Sequence, residues 1–414
     1  MRHCCGEDEV MHSTYTLAHN SWGNEEMKAV TDVMFSGMYT MGERVAKFER
    51  EFARYIGSRN AVMVNSGSSA NLVALSALVY CKKYGINPGD EVIVPAVSWS
   101  TTYFPIHQLG LKMVLVDIDK DTLNIDVSKM TEAITDKTRA VLAVNLLGSA
   151  ENITVVRDVC RSRSIHLIED NCESLGAVSR DPYRGGVAKP AGTFGVCGTF
   201  SFFFSHHIQT MEGGMIVTDD DELADYMRSI RAHGWVRDLR GDELYKKTGD
   251  KFADSFKFVL PGYCVRPLEM SAAVGSVQLT RMPYFRSMRV HNACKFVDLV
   301  KSTSAPIRAQ DCSLLDSSWF GFAIVLEGSL RGRRAEVVEA LRLDGVECRP
   351  IVTGNFANQP VMNILREAGA RVHSTLDNAQ EIDENGLFIG NDNRDLTGWL
   401  SVAIRCIERV AYYG

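Results

Sequence analysis

Basic charge is the first thing this chain does not have in excess. Its 45 Lys and Arg stand against 51 Asp and Glu, a formal net charge of -6. There is thus no positive field to hold nucleic acid or an anionic membrane surface. No apolar run approaches bilayer length, and residues 1–23 lack the apolar centre of a signal peptide, so a cytoplasmic protein is expected. Repeats and low-complexity segments are absent. The 11 cysteines include no C-x-x-C or C-x-C, and only Cys4 and Cys5 are close in sequence. Such an odd, scattered set reads as reduced thiols and gives no spacing for zinc or an iron–sulfur cluster, so no metal is expected. The most specific gap is in lysine: none occurs between Lys189 and Lys246.

What the chain does have is ordinary globular material. With 414 residues, 45% hydrophobic and 23% charged, it has enough apolar mass for two domains, or one large domain with a smaller appendage. Residues 1–23 are polar and irregular. Helical spacing follows over Glu25–Phe35 and Gly42–Ile56. Apolar runs at Ala61–Val64, Glu91–Pro95, Lys112–Val116, Ala140–Val144 and His166–Ile168 alternate with helical segments, one of them running through Tyr84. Such alternation predicts an α/β fold with a mainly parallel sheet covered by helices on both faces. A helix over Asp221–His233 precedes a charged, flexible stretch, Arg237–Asp254. A long helix through Val300 then leads to a strand at Trp319–Leu326, a helix at Arg334–Asp344 and a strand at Val346–Ile351. The expected division is an arm (1–23), a large domain (24–267) and a smaller C-terminal α+β domain (268–414).

Four features at predicted strand ends carry chemistry. Asn65-Ser66-Gly67-Ser68-Ser69-Ala70 joins a strand to a helix; small residues there let N–H groups and hydroxyls of Gly67, Ser68 and Ser69 approach an anion. The same composition also suits an ordinary strand–helix turn. Ser201 adds a hydroxyl if its strand lies alongside. Trp99 offers a flat face for stacking on a planar ligand, or a core side chain. Asp170 ends an apolar run where ligands bind open α/β sheets; it would keep a pyridine nitrogen protonated, or else cap a helix that begins near Glu173 or Ser174. Finally, the aromatic run Phe200–Phe204 stops at His206-His207 beside Glu212-Gly213-Gly214. Imidazole titrates near neutrality and is a candidate proton carrier. A phosphate cup, an aromatic stacker, an aspartate and a serine in this order describe a pyridoxal phosphate site.

From Trp22 onward the chain resembles the DegT/DnrJ/EryC1/StrS sugar aminotransferase family. The likeness rests on Thr40-Met41-Gly42-Glu43, Pro95-Ala96-Val97-Ser98-Trp99, Glu169-Asp170-Asn171-Cys172-Glu173-Ser174, Glu212-Gly213-Gly214 and Glu347-Cys348-Arg349-Pro350. It implies an aspartate aminotransferase-like fold and a homodimer with active sites at the interface. Most of that family carries a lysine six residues before the Glu of Glu-Gly-Gly, joined to the cofactor as a Schiff base. Here that position is His206, as in the family's lysine-less dehydratases, which share the Ser-His-His-Ile and Thr-Met-Glu-Gly-Gly segments.

Imidazole forms no stable Schiff base, so the resemblance implies pyridoxal or pyridoxamine phosphate held noncovalently. It implies removal of the C3 hydroxyl from a nucleotide-linked 4-keto-6-deoxyhexose of the GDP-4-keto-6-deoxymannose kind, with glutamate restoring the amine form. His206 would be the base, and His233 reads equally as a second acid or base or as a core histidine. Glu173 would belong to the cofactor site and Arg349 would meet the substrate, while His207 would either orient its neighbour or contact the substrate's leaving group. The alternatives are another lysine-less enzyme acting on a different keto sugar, an aminotransferase, and a catalytically silent sugar-nucleotide-binding homologue. The family's Gly-Tyr-Asn turn is here Gly262-Tyr263-Cys264, which puts a partner-chain phosphate contact in question.

Overall fold

The apolar runs become strands because each is short, rich in Val, Ile and Ala, and bounded by turn-forming residues. The computed structural model describes residues 14–181 and 185–413; Cys4 and Cys5 lie outside them. In chain order the strands are β1 (Asn60–Val64), β2 (Glu91–Pro95), β3 (Lys112–Val116), β4 (Thr138–Val144), β5 (His166–Asp170), β6 (Val178–Asp181), β7 (Val187–Pro190), β8 (Cys197–Ser201), β9 (Gly214–Thr218), β10 (Ile307–Ala309), β11 (Gly321–Leu326), β12 (Arg371–Val372) and β13 (Gly386–Gly390). Eight form one sheet in the order β1-β9-β8-β5-β4-β2-β3-β12.

Every pairing from β8 to β12 is parallel, whereas β9 runs antiparallel to both β8 and β1. Two reversals restore direction, so β1 points the same way as β2, β5 and β8. The segments after Val64, Pro95, Asp170 and Ser201 therefore emerge on one edge of the sheet. That edge is where open α/β sheets bind ligands. Strands β1, β8 and β9 are buried throughout, as expected for a sheet covered on both faces.

The smaller sheet, β10-β11-β13, is antiparallel and packs on helices Arg334–Leu343 and Thr397–Tyr413 around Phe296, Phe322, Leu341 and Leu400. The 34-residue helix Glu269–Ser302 serves both cores. Its first half (Ala272, Leu279, Met282, Phe285) packs with Phe48 and Phe52, its second (Ala293, Phe296) with the small sheet. The expected boundary before Leu268 thus falls at the start of the helix, while the two cores part within it. Strand β12, from the C-terminal portion, joins the edge of the large sheet through β3.

Some local expectations shift. The helix expected through Tyr84 stops at Tyr80; Cys81 is extended, and Lys82–Tyr84 forms a separate 3-10 turn. Val346–Ile351 is not a strand. It makes single bridges from Val346 to Tyr15 and from Arg349 to Phe388, and Pro350 supplies no N–H to extend the ladder. No helix follows Asp170: a turn leads into the β6–β7 hairpin, so the capping alternative does not apply. Within Arg237–Asp254 the regular element is the short helix Lys251–Asp254. The stretch is nonetheless tied down, since the Asp225 carboxylate accepts the N–H groups of Arg240 and Gly241. Of the expected N-terminal arm, residues 14–23 are described; they are irregular but docked, with Tyr15 buried and Trp22 Nε1 donating to the Gln209 carbonyl.

Candidate active site

A cavity of about 490 Å³ opens at the common strand edge, lined by residues of the large sheet and of the C-terminal portion. Its floor begins at Ser66, which caps helix Gly67–Tyr80 by accepting the Ser69 N–H. That bond, with Ser66 Oγ–H donating to Ser69 Oγ, turns Ser69 onto Ser66, and Ser69 does not line the cavity. The expectation of Ser69 as a cofactor ligand is therefore corrected. Gly67 and Ser68 do line it. Ser68 Oγ lies 2.8 Å from Thr101 Oγ1 in the first turn of helix Ser100–Gln108. Two helix N-termini thus converge there with hydroxyls between them, an arrangement suited to a phosphate group. Gly67 has a steric reason to be glycine: a Cβ would sit 2.5 Å from Ser201 Cβ and 2.8 Å from Cys172 Sγ. Ser201 thereby comes to the same cup from β8.

Asp170, at the end of β5, is 4% exposed. Its Oδ2 accepts Asn71 Nδ2 at 2.8 Å and Thr102 Oγ1 at 2.9 Å, and its Oδ1 accepts the Cys172 N–H at 3.1 Å. Thr199 in turn donates to Asn71 Oδ1 at 2.6 Å. This web fixes the carboxylate while leaving Oδ1 with acceptor capacity towards the cavity. The neighbouring Glu169 points the other way. Fully buried, it accepts the N–H groups of Gly192, Phe194 and Gly195, and desolvation raises its pKa. Trp99 lines the cavity with its ring 56% exposed. A large aromatic left open at a cavity of this size suits stacking rather than core packing.

His206 also lines the cavity, half-buried, with Nδ1 3.5 Å from Ser205 Oγ and its ring edge-on to Phe320 at 5.1 Å between centroids. Burial, then the charges of Arg289 and Arg349, push its pKa down to about 3. The ring is neutral near pH 7 and free to accept a proton. Arg349 lines the wall from the C-terminal portion, its guanidinium 4.4 Å from the Phe388 ring centroid and 3.9 Å from Glu173. Glu173 takes the Leu147 N–H, and burial raises its pKa against the lowering pull of Arg349. No lysine is among the lining residues.

Two expected residues are elsewhere. His207 is buried with Nε2 3.1 Å from the Ser318 carbonyl, outside the cavity lining, so direct substrate contact is not supported. His233 is exposed, with φ 61°, edge-on to Trp235 and away from the cavity in this chain. Conversely, Asn71, Thr101, Thr102, Cys172, Glu212 and Phe320 were not assigned to the site from the sequence, although all of them line the cavity. For Asn71 and Thr102 a signal existed: each lies within one or two turns of a residue already chosen.

The residues present fit pyridoxal phosphate. Two helix N-termini match its phosphate, the exposed Trp99 face its ring, and the residual acceptor of Asp170 a ring N–H.

Comparison with known proteins agrees with the geometry. The family model for the DegT/DnrJ/EryC1/StrS aminotransferase family matches residues 20–390. The GDP-4-keto-6-deoxy-D-mannose 3-dehydratase of Escherichia coli O55:H7 is 49% identical over 384 residues, covering 92% of this chain and 96% of its own. The enzyme of that name from Yersinia pseudotuberculosis is 49% identical over 387 residues, 92% and 95% of the two chains. The crystal structure of GDP-4-keto-6-deoxymannose-3-dehydratase with a trapped PLP–glutamate geminal diamine superposes with a TM-score of 0.89. It is 46% identical and covers 95% of this chain and 100% of that one. By sequence and by fold, this chain belongs to the DegT/DnrJ/EryC1/StrS aminotransferase family.

Proposed function

We propose that this chain is a sugar 3-dehydratase acting on a nucleotide-linked 4-keto-6-deoxyhexose, GDP-4-keto-6-deoxy-D-mannose or a close relative. The single observation that carries this is His206, neutral and facing a cavity that no lysine lines. Relatives at 49% identity bearing the dehydratase name support the substrate class. Pyridoxal phosphate and its amine form, when bound, would supply the nitrogen that joins the sugar ketone and the electron sink that makes the C3 hydroxyl a leaving group.

The chain's residues do the rest. Gly67, Ser68 and Thr101 anchor the phosphate, Trp99 covers the ring, and Asp170 holds a proton on the ring nitrogen, so that the cofactor stays in place without a covalent tether. His206, with Nδ1 beside Ser205, takes up and returns protons through Nε2. Arg349 offers the cavity a guanidinium to pair with an anionic group of the nucleotide sugar or of glutamate. The net change balances: keto sugar plus glutamate gives 3,6-dideoxy-4-keto sugar, 2-oxoglutarate and ammonia.

A second copy of the chain is the partner this reading requires. Phe203, a lining residue, is 44% exposed, as is Phe204, with Met211 at 41%. An exposed apolar rim at the cavity mouth suits burial by a symmetry mate, and His233 and Cys264 would then face the partner's site. Sedimentation at micromolar concentration should give a dimer.

The activity test has two stages. Pyridoxal phosphate and glutamate are added first, and loss of aldehyde absorbance is followed. GDP-4-keto-6-deoxymannose comes next, with assay of ammonia and sugar product. Ammonia with a 3-deoxy sugar supports the dehydratase. An amino sugar would make the chain an aminotransferase, and no cofactor binding would make it a silent homologue.

A further inference from the structure

His207 is 3% exposed and polar, yet touches neither the cavity nor solvent. Its Nδ1 has no hydrogen-bond partner among the described residues. A buried imidazole with one nitrogen unsatisfied is costly and calls for a compensating role of the other. Nε2–H donates to the Ser318 carbonyl, which fixes the tautomer.

Ser318 lies in a turn held under strain. Trp319 has φ 50°, and across from it Leu147 has φ 54° and Gly148 φ 97°. The two turns are laced together by Ser318 N–H to the Gly148 carbonyl and Phe320 N–H to the Leu147 carbonyl. They approach so closely that a Cβ on Gly148 would sit 2.6 Å from Trp319 N. Left-handed geometry at a tryptophan costs about 1–3 kcal/mol and persists only where surroundings enforce it. Arg289 Nη1, buried, donates to the carbonyls of Trp319 and Phe320. Emerging from this turn, Phe320 sits between the two imidazoles, 5.1 Å from His206 and 5.7 Å from His207. Among the described residues it is the only aromatic ring in contact with both.

We propose that His207 is a positioning residue: it clamps the Ser318 carbonyl so that Phe320 stays packed against His206 as a water-excluding wall of the cavity. This rests on the reading of His206 as the base. The groups around His206 are Arg289 from the long helix, Arg349 from the segment before β13, Ser205 beside it, and Asp170, Glu173 and Glu212 elsewhere on the cavity wall. With the wall in place, the positive charges and desolvation keep the ring neutral. With it open, water solvates the imidazolium and His206 recovers a more ordinary basicity.

The test uses full-length protein with labelled histidine, without cofactor or sugar. The His206 ring signal is assigned by its loss in His206→Asn, and is followed from pH 8 to 5.5. Wild type should show no titration in that window, whereas His207→Leu should titrate within it. His207→Gln, whose amide N–H reaches the same carbonyl, should restore the silent behaviour. Phe320→Ala should reproduce the leucine variant. In turnover, the acidic limb of the pH profile of kcat should move up towards about pH 6.5 in His207→Leu and return in His207→Gln. A silent His206 in His207→Leu, or a glutamine variant as disturbed as the leucine one, overturns the proposal. So does a wild-type titration in Phe320→Ala, which also serves if the leucine variant does not fold. Because the titration needs no substrate, its outcome is independent of the dehydratase assignment, which fails instead if His206→Asn retains full turnover.

Discussion

Gly67→Ala tests the anchoring of the cofactor most directly. The added Cβ would lie 2.5 Å from Ser201 Cβ and 2.8 Å from Cys172 Sγ. Carbon atoms in good contact sit about 3.5 Å or more apart, so the loop between β1 and its helix must retreat by about 1 Å. Overpacking of this kind costs about 1–3 kcal/mol. The free protein can relax it by withdrawing the loop, but binding a phosphate requires the Gly67 and Ser68 amides to return. Most of the cost therefore falls on the bound state. At tenfold per about 1.4 kcal/mol, the dissociation constant for pyridoxal phosphate should rise by about 5- to 150-fold. Quenching of tryptophan fluorescence during a cofactor titration would read this, Trp99 being the exposed ring in the cavity. If Gly67→Ala binds within twofold of wild type, the phosphate is held elsewhere and the cup assigned to the two helix N-termini is wrong.

Other outcomes follow from the same geometry. His206→Asn should keep cofactor affinity but lower the sugar half-reaction by about 100-fold or more, read as ammonia release; wild-type release would remove His206 as the base. His206→Lys should make a covalent, borohydride-trappable adduct with pyridoxal phosphate, visible by mass spectrometry, and its failure to form would mean residue 206 is out of reach of the aldehyde. Because the folded-state pKa of His206 is depressed to about 3, the acidic limb of the sugar half-reaction should fall well below pH 6.5. The same shift removes stability as pH drops from about 6.5 towards about 3, since the unfolded chain gains that proton first; a limb centred at 6.5 would contradict the depressed value. Glu169→Ala leaves three buried N–H groups without an acceptor, and loss of about 3–5 kcal/mol should appear as an earlier denaturant midpoint. An unchanged midpoint would show that water replaces the carboxylate.

The chain itself displays the strands of the large sheet because both their faces are buried, and continuous apolar runs need no partner to be recognised. Glu91–Pro95 and Lys112–Val116 match their strands residue for residue. Asp170, Trp99 and His206 were legible because each sits where an apolar run stops, and parallel strands carry all such points to one edge. What was hidden depends on side-chain direction. Nothing in Ser68-Ser69 says that the second serine is consumed by Ser66, or in His206-His207 that one ring faces the cavity and the other a carbonyl 111 residues away. Val346–Ile351 looked like a strand because its alternation is real; Pro350 and the docking of Tyr15 limit it to isolated bridges.

The helix Glu269–Ser302 contributes to both cores, while the cavity takes Ser68 and Asp170 from one side and Phe320, Arg349 and Phe388 from the other. The gap that receives the ligand is therefore spanned by a rigid spar, and its width is set by how that spar seats in each half and by the Ser318–Phe320 turn tied to Leu147 and Gly148. Neither half can be cut away at residue 268 without stripping Phe48 and Phe52 of their cover, so separately expressed pieces should not reassemble a working site unless the spar travels whole with one of them.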